Sequence, residues 1–145
     1  QIMSEQLRAM LVRHEGLRTF AYNCSEGFLT IGVGRNIQTN GITEEEAMYL
    51  LDNDIKRVQD ELTLNWGVWQ TFPEKARDVC VDMCFQLGIE GFMRFKKTRA
   101  LMEDAMWIEA SEECLRSKWA IQTPSRAAYN SRQLSLCQQK LQKIT

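Results

Sequence analysis

One histidine, His14, is all that this chain has, and that scarcity removes several kinds of chemistry. A zinc centre has too few imidazole ligands to draw on. A cysteine peptidase or amidase wants a histidine base beside its thiol. His14 adjoins Glu15 on a helix end, where neighbouring side chains point about 100° apart, so it does not serve a thiol in a site that Glu15 faces. Equally missing is an apolar run near the roughly 18 residues needed to span a bilayer, and the N-terminus lacks a charged-then-apolar export signal. The chain therefore reads as soluble. A charge excess is missing too: 18 basic residues meet 19 acidic ones for a formal net charge of −1. No global field draws the protein to nucleic acid or to an anionic membrane, although local basic patches remain compatible with that balance. Repeats, low-complexity tracts and long linkers are absent.

What is present describes a globular protein. With 145 residues, 44% hydrophobic and 26% charged, the chain can bury one substantial core with room for a smaller lobe. Because it opens Gln1-Ile2-Met3, either Met3 is the natural start or residues precede Gln1, and an export segment lost upstream stays open. The five cysteines, Cys24, Cys80, Cys84, Cys114 and Cys137, are an odd number without tight metal spacing, so neither metal nor cofactor is expected. Four of them, all but Cys24, read as small buried hydrophobes of a protein made in a reducing cytosol. Cys24 differs because its surroundings are polar and turn-like.

Periodicity predicts a first helix carrying Leu7, Met10 and Leu11, capped by Ser4 and stopped by Gly16, with Glu15 in its last turn. A carboxylate there faces the negative helix end, poor placement for a surface acid but useful for one that must keep a proton. Residues 20–33 then read as a hairpin with its turn through Asn23-Cys24-Ser25-Glu26-Gly27. Alternation puts Leu29, Ile31 and Val33 on one face and Thr30 on the other, with Gly32 and Gly34 leaving room for a ligand or another backbone. Thr43-Glu44-Glu45-Glu46 is a capping box for a long amphipathic helix striped by Ala47, Leu50, Leu51, Ile55, Val58 and Leu62, ending near Asn65-Trp66-Gly67. Pro73 opens a helix whose face of Ala76, Val79, Cys80, Met83, Cys84 and Leu87 is the best candidate for a central buried element, closed by Gly88. Helical segments over 92–105 and 107–119, and one started by Thr123-Pro124, complete a bundle.

Residues 15–34 carry the most specific signal. Glu15, Cys24 and Thr30 follow one another with gaps of eight and five residues, which resembles the catalytic segment of the T4-type phage lysozymes, glycoside hydrolase family 24: Glu, eight residues, Asp or Cys, five residues, Thr. Three further stretches keep the family's order: G-I-T-E-E-E-A at 41–47, D-M-C-F-Q-L-G at 82–88 and W-A-I-Q-T-P-S-R-A at 119–127. Two departures stand out. Only residues 35–40 separate the hairpin from the Gly41 turn, which trims the small lobe, and the position after Gly34, often histidine in the family, is Arg35.

The resemblance implies a mostly helical α+β, lysozyme-like fold of two lobes with a cleft between them: a small N-terminal β-hairpin lobe and a larger C-terminal helical bundle. Residues 1–145 would form a single lysozyme domain, with 16–60 the β-containing lobe and connecting helix, and 1–15 with 61–145 the helical lobe. It implies hydrolysis of the β-1,4 bond between N-acetylmuramic acid and N-acetylglucosamine in a peptidoglycan strand. Glu15 would be the general acid, Cys24 and Thr30 would flank the attacking water, Phe85 and Gln86 would line the cleft, and Arg126 would pair with Glu15. A monomeric phage endolysin is the expectation, made in the host cytoplasm and acting on the wall after release. A thiol is a weaker base than a carboxylate at neutral pH, so Cys24 as water-positioning base with inversion and Cys24 as nucleophile with retention both stay open. Two other functions also stay open: a lytic transglycosylase, which needs one acid and no water, and a non-catalytic peptidoglycan-binding relic.

Overall fold

The computed structural model describes residues 4–138, so the Gln1-Ile2-Met3 start lies outside the described residues. Helix α1 (Glu5–Glu15) begins where the Ser4 hydroxyl accepts a hydrogen bond from the Leu7 N–H at 3.1 Å, and it stops at Gly16 with φ of 80°. A short hydroxyl satisfies an orphan amide at one end, and glycine takes a φ that side chains resist at the other.

Three strands follow, β1 (Arg18–Asn23), β2 (Leu29–Gly32) and β3 (Arg35–Asn36), in an antiparallel sheet of order β1-β2-β3. Tyr22 pairs with Thr30, yet Arg18 pairs with Gly32. Four steps along β1 thus oppose two along β2, and β1 bulges between those pairs. Cover on this sheet does not follow hydropathy. Leu29 and Val33 are exposed, whereas Thr30 is 3% exposed and is the sole buried residue among the described residues up to Leu50. A unit this small cannot build a hydrophobic core of its own, and a central-strand position flanked by Tyr22 on β1 and Asn36 on β3 is its most covered place.

Helix α2 (Ile37–Asn40) is a single turn capped by the Asn36 side chain. Helix α3 (Glu44–Trp66) opens with the expected capping box: the Glu46 N–H donates to Thr43 Oγ1 at 3.0 Å, and the Thr43 N–H donates to Glu46 Oε1 at 2.9 Å. By its contacts the chain divides into two compact units, Gln1–Leu50 and Leu51–Thr145, with the division inside α3. Of the predicted α3 stripe, Val58 and Leu62 are buried, together with Trp66, while Leu50 and Leu51 are exposed.

The second unit holds the core. After a short 3-10 turn (Gly67–Thr71) come α4 (Glu74–Met93), α5 (Lys96–Glu103), α6 (Trp107–Cys114), α7 (Lys118–Gln122) and α8 (Pro124–Ser135). Ala76, Val79, Cys80, Met83 and Cys84 on α4 are all buried, as the apolar periodicity predicts. Each such side chain contributes on the order of 1.5–3 kcal/mol when large and fully covered. Trp66 stacks edge-on to Phe72 at 5.2 Å and lies 5.8 Å from Phe92. That anchoring of Phe92 accounts for a departure from the expected helix end. Gly88 does break the helical geometry, with φ of 74°, but the chain resumes helical turns as far as Met93. The segments 92–105 and 107–119 are likewise each divided. Helix α5 ends at Glu103, and just beyond it Ala105 takes φ of 57° so that the Met106 N–H reaches back to the Leu101 carbonyl at 2.9 Å. The protein is a mostly helical α+β fold. No helix among the described residues is long and apolar enough to cross a membrane.

Candidate active site

Glu15 is the last residue of α1, and its exposed side chain turns onto the tight turn between β2 and β3. A Cβ on Gly34 would lie 2.6 Å from Glu15 Oε2 and 3.1 Å from the carboxyl carbon. The missing side chain of Gly34 is therefore what admits the carboxylate, and its φ of 66° fits the same turn. Gly32 has open space where its Cβ would be. The room that two glycines promised is used by Glu15 at one of them.

Cys24 and Thr30 are brought together at the other end of the hairpin. The Cys24 N–H donates to the Phe28 carbonyl at 2.9 Å and the Gly27 N–H to the Cys24 carbonyl at 2.9 Å, which closes the turn. Thr30 Oγ1 donates to the same Phe28 carbonyl at 2.8 Å. The Cys24 thiol, half-buried, faces backbone N–H groups of Glu26 and then Phe28 and the Thr30 hydroxyl, and these lower its pKa from the ordinary thiol value. A hydroxyl has one proton, so Thr30 gives it either to Phe28 or to the thiolate. The donors of this turn thus favour the anionic form of the sulfur over the thiol.

Arg35, standing where histidine is common in the family, is not left without a partner. Its guanidinium grips Glu46 with two bonds of 3.0 and 2.9 Å and donates to the Gly41 carbonyl at 3.2 Å. Arg35, followed by the Thr43 N–H, holds the Glu46 carboxyl down at about 2. One ion pair thus ties β3, the Gly41 turn and the start of α3 together. The sequence marked Glu46 only as a capping residue, and no spacing rule pointed from it to Arg35.

In the second unit Arg126, on α8, forks onto Asp82 of α4 through Nε and Nη2 at 2.9 and 2.8 Å. Asn130, one turn further along α8, donates to the same carboxylate at 2.8 Å. Burial pushes the Asp82 carboxyl up, but the bonds from Arg126 and Asn130 outweigh it and leave it below the ordinary range. The ion pair seen for Arg126 among the described residues is with Asp82. Asp82 and Asn130 were not singled out from sequence, although Arg126 and Asn130 share the four-residue spacing of one helix face. Phe85 is 45% exposed and lines a depression of about 370 Å³ with Asp82 and Arg126. Gln86 turns the other way, its amide oxygen accepting from the Trp119 indole N–H at 2.9 Å. Among the described residues no group of three or more His, Cys, Asp or Glu side chains is arranged to hold a metal.

This geometry sits within a sequence whose residues 12–133 match the Phage lysozyme family. The chain belongs to the phage lysozyme family. As a member, it is 26% identical to a probable T4-type lysozyme of Dictyostelium discoideum over 86% of this chain and 91% of that protein. It is 31% identical to an endolysin of Acyrthosiphon pisum secondary endosymbiont phage 1, over 62% of each. The pre-baseplate central spike protein Gp5 of Enterobacteria phage T4 is 30% identical over 82% of this chain, which spans 26% of that larger protein. The matched interval of this phage lysozyme family member holds Glu15, Cys24, Thr30, Phe85, Gln86 and Arg126.

Proposed function

We propose that this protein is an endolysin-type muramidase, hydrolysing the β-1,4 bond between N-acetylmuramic acid and N-acetylglucosamine in peptidoglycan. The observation that carries the reading is the hairpin of the first unit, which holds a carboxylic acid over the bare α-carbon of Gly34 and a thiol–hydroxyl pair at Cys24 and Thr30. Those are the parts that glycoside hydrolysis needs: an acid for the leaving oxygen and a group that handles water or attacks the anomeric carbon.

Glu15 protonates the leaving oxygen. Cys24 and Thr30 hold the water that attacks the other face of the sugar, giving inversion. The donors around the Cys24 sulfur raise the fraction present as thiolate, the form that can take a proton from water or attack carbon. Direct attack by sulfur would form a glycosyl thioether that water then opens, giving retention. Arg126 as the ion-pair partner of Glu15 belongs to the same reading, by the resemblance alone. Phe85 offers an apolar face to a sugar ring. Synthesis in the host cytoplasm and action on the wall as a monomer belong to the same reading.

Proton NMR of the first product anomer from a defined peptidoglycan oligomer tests the mechanism. The α anomer released first supports water held by Cys24 and Thr30; the β anomer makes Cys24 the nucleophile. Failure to release any reducing sugar overturns the activity itself.

A further inference from the structure

Away from the hairpin and from Arg126, the second unit has a depression of about 550 Å³ between α4, α5, α6 and α7. Its charge departs sharply from the near-neutral chain. Arg94, Lys96, Lys97 and Lys118 stand exposed around it, and among the described residues none of the four forms an ion pair. The one acid at the rim, Glu113, is taken by Arg116 at 2.7 Å. Such a group of cations around one depression draws an anionic ligand to it.

The floor is different in kind. Phe95 is half-buried and meets Trp119 edge-on at 5.8 Å, and the Trp119 indole N–H is already committed to Gln86. What remains open is carbon: the Phe95 ring and Leu87 present an apolar surface beneath the cationic rim. Thr98, in the first turn of α5, is 4% exposed and lines the same wall.

We propose that this depression binds a phosphorylated saccharide, with a sugar face on Phe95 and phosphates held by Arg94, Lys96, Lys97 and Lys118. A neutral glycan would leave four cations unanswered. A carboxylate brings one charge, whereas a phosphate brings about 1.5–2 with three acceptor oxygens in the same volume, and the planar fork of Arg94 matches phosphate geometry. The volume suits one or two sugar rings. The site lies outside the proposed catalytic residues and stands whether or not they cleave peptidoglycan.

The test is a titration of the full chain, isotopically labelled, with glucose 1,6-bisphosphate, following the backbone amides of Gly91, Phe95, Thr98, Ser117 and Trp119 by NMR. Saturable shifts confined to these positions, weakening with added salt, are expected. Lys97→Gln combined with Lys118→Gln should weaken binding about tenfold, about 1.4 kcal/mol, because two solvent-exposed ion pairs of modest worth are lost, while melting temperature and lytic rate stay at the parent values. Inorganic phosphate or a triglutamate peptide binding as tightly as the bisphosphate overturns the proposal in favour of an unspecific anion patch. So does unmodified glucose binding equally well, and so does a double variant with unchanged affinity.

Discussion

The carboxylate of Glu15 rests against the α-carbon of Gly34, where a methyl group would lie 2.6 Å from Oε2. A helix end and a strand turn are thereby locked to each other by an absence. Gly34→Ala adds strain of about 1–2 kcal/mol from its positive φ and also pushes the acid aside, because the flexible carboxylate yields before the backbone does. Gly32→Ala carries the same kind of strain, at φ of 71°, with nothing within 4 Å of the new methyl. Both variants should melt a few degrees lower, and only Gly34→Ala should lose activity, by about tenfold or more. Comparing lytic rate and melting temperature across the pair checks this. Equal activity losses in both would remove the special role of Gly34.

The thiols should separate by reactivity. Cys24 has its pKa lowered by backbone and hydroxyl donors, while burial raises Cys84 and Cys114 to about 11 and raises Cys80 further. Iodoacetamide should modify Cys24 alone in the folded protein, with a rate that climbs through a midpoint below that of the same thiol in the unfolded chain. Modification should stop lysis. Cys24→Asp should keep substantial activity, and Cys24→Ala should lose most of it with little change in melting temperature. Lysis by Cys24→Ala at the parent rate would leave water to Thr30 alone.

Arg35 and Glu46 give the fold an acid-sensitive clasp. The Glu46 carboxyl is depressed to about 2 in the folded chain, below its ordinary range of about 4.3. A group depressed on folding stabilises above its unfolded pKa, and that contribution fades as pH falls through the folded value. Arg35→Ala should therefore lower the melting temperature at pH 7 and make little difference near pH 2. Calorimetry of both proteins over that range checks it, and a gap that stays constant down to pH 2 would count against the clasp.

Local chemistry was legible and long-range pairing was not. Ser4, Gly16 and the Thr43–Glu46 box act through neighbours three or four residues away, so their hydrogen bonds could be read from spacing. The α4 face was equally plain because five apolar side chains fall on one stripe. Alternation separated Thr30 from Leu29 and Val33 but did not say which side is covered: in a unit without its own core it is Thr30, and the reason is sheet neighbours and not hydropathy. Gly88 stopped the helical geometry as read, yet Phe92 packing on Trp66 carried the helix onward. Asp82 sat unnoticed inside a quoted motif because its partners lie 44 and 48 residues along the chain, a distance that no local pattern spans. Of the candidate catalytic residues, Glu15, Cys24 and Thr30 were visible as a spacing, while the glycine that seats the acid and the donors around the thiol needed coordinates.

The central claim is that Glu15 is the acid of a hydrolytic muramidase, and mass spectrometry of peptidoglycan fragments tests it most directly, with the parent and a folded Glu15→Gln variant side by side. General acid catalysis contributes about 10²–10⁴-fold, so the parent should release fragments ending in reducing N-acetylmuramic acid and the variant should release them at least a hundredfold more slowly. Fragments ending in anhydro-muramic acid, or parent-like release by Glu15→Gln, would contradict the account.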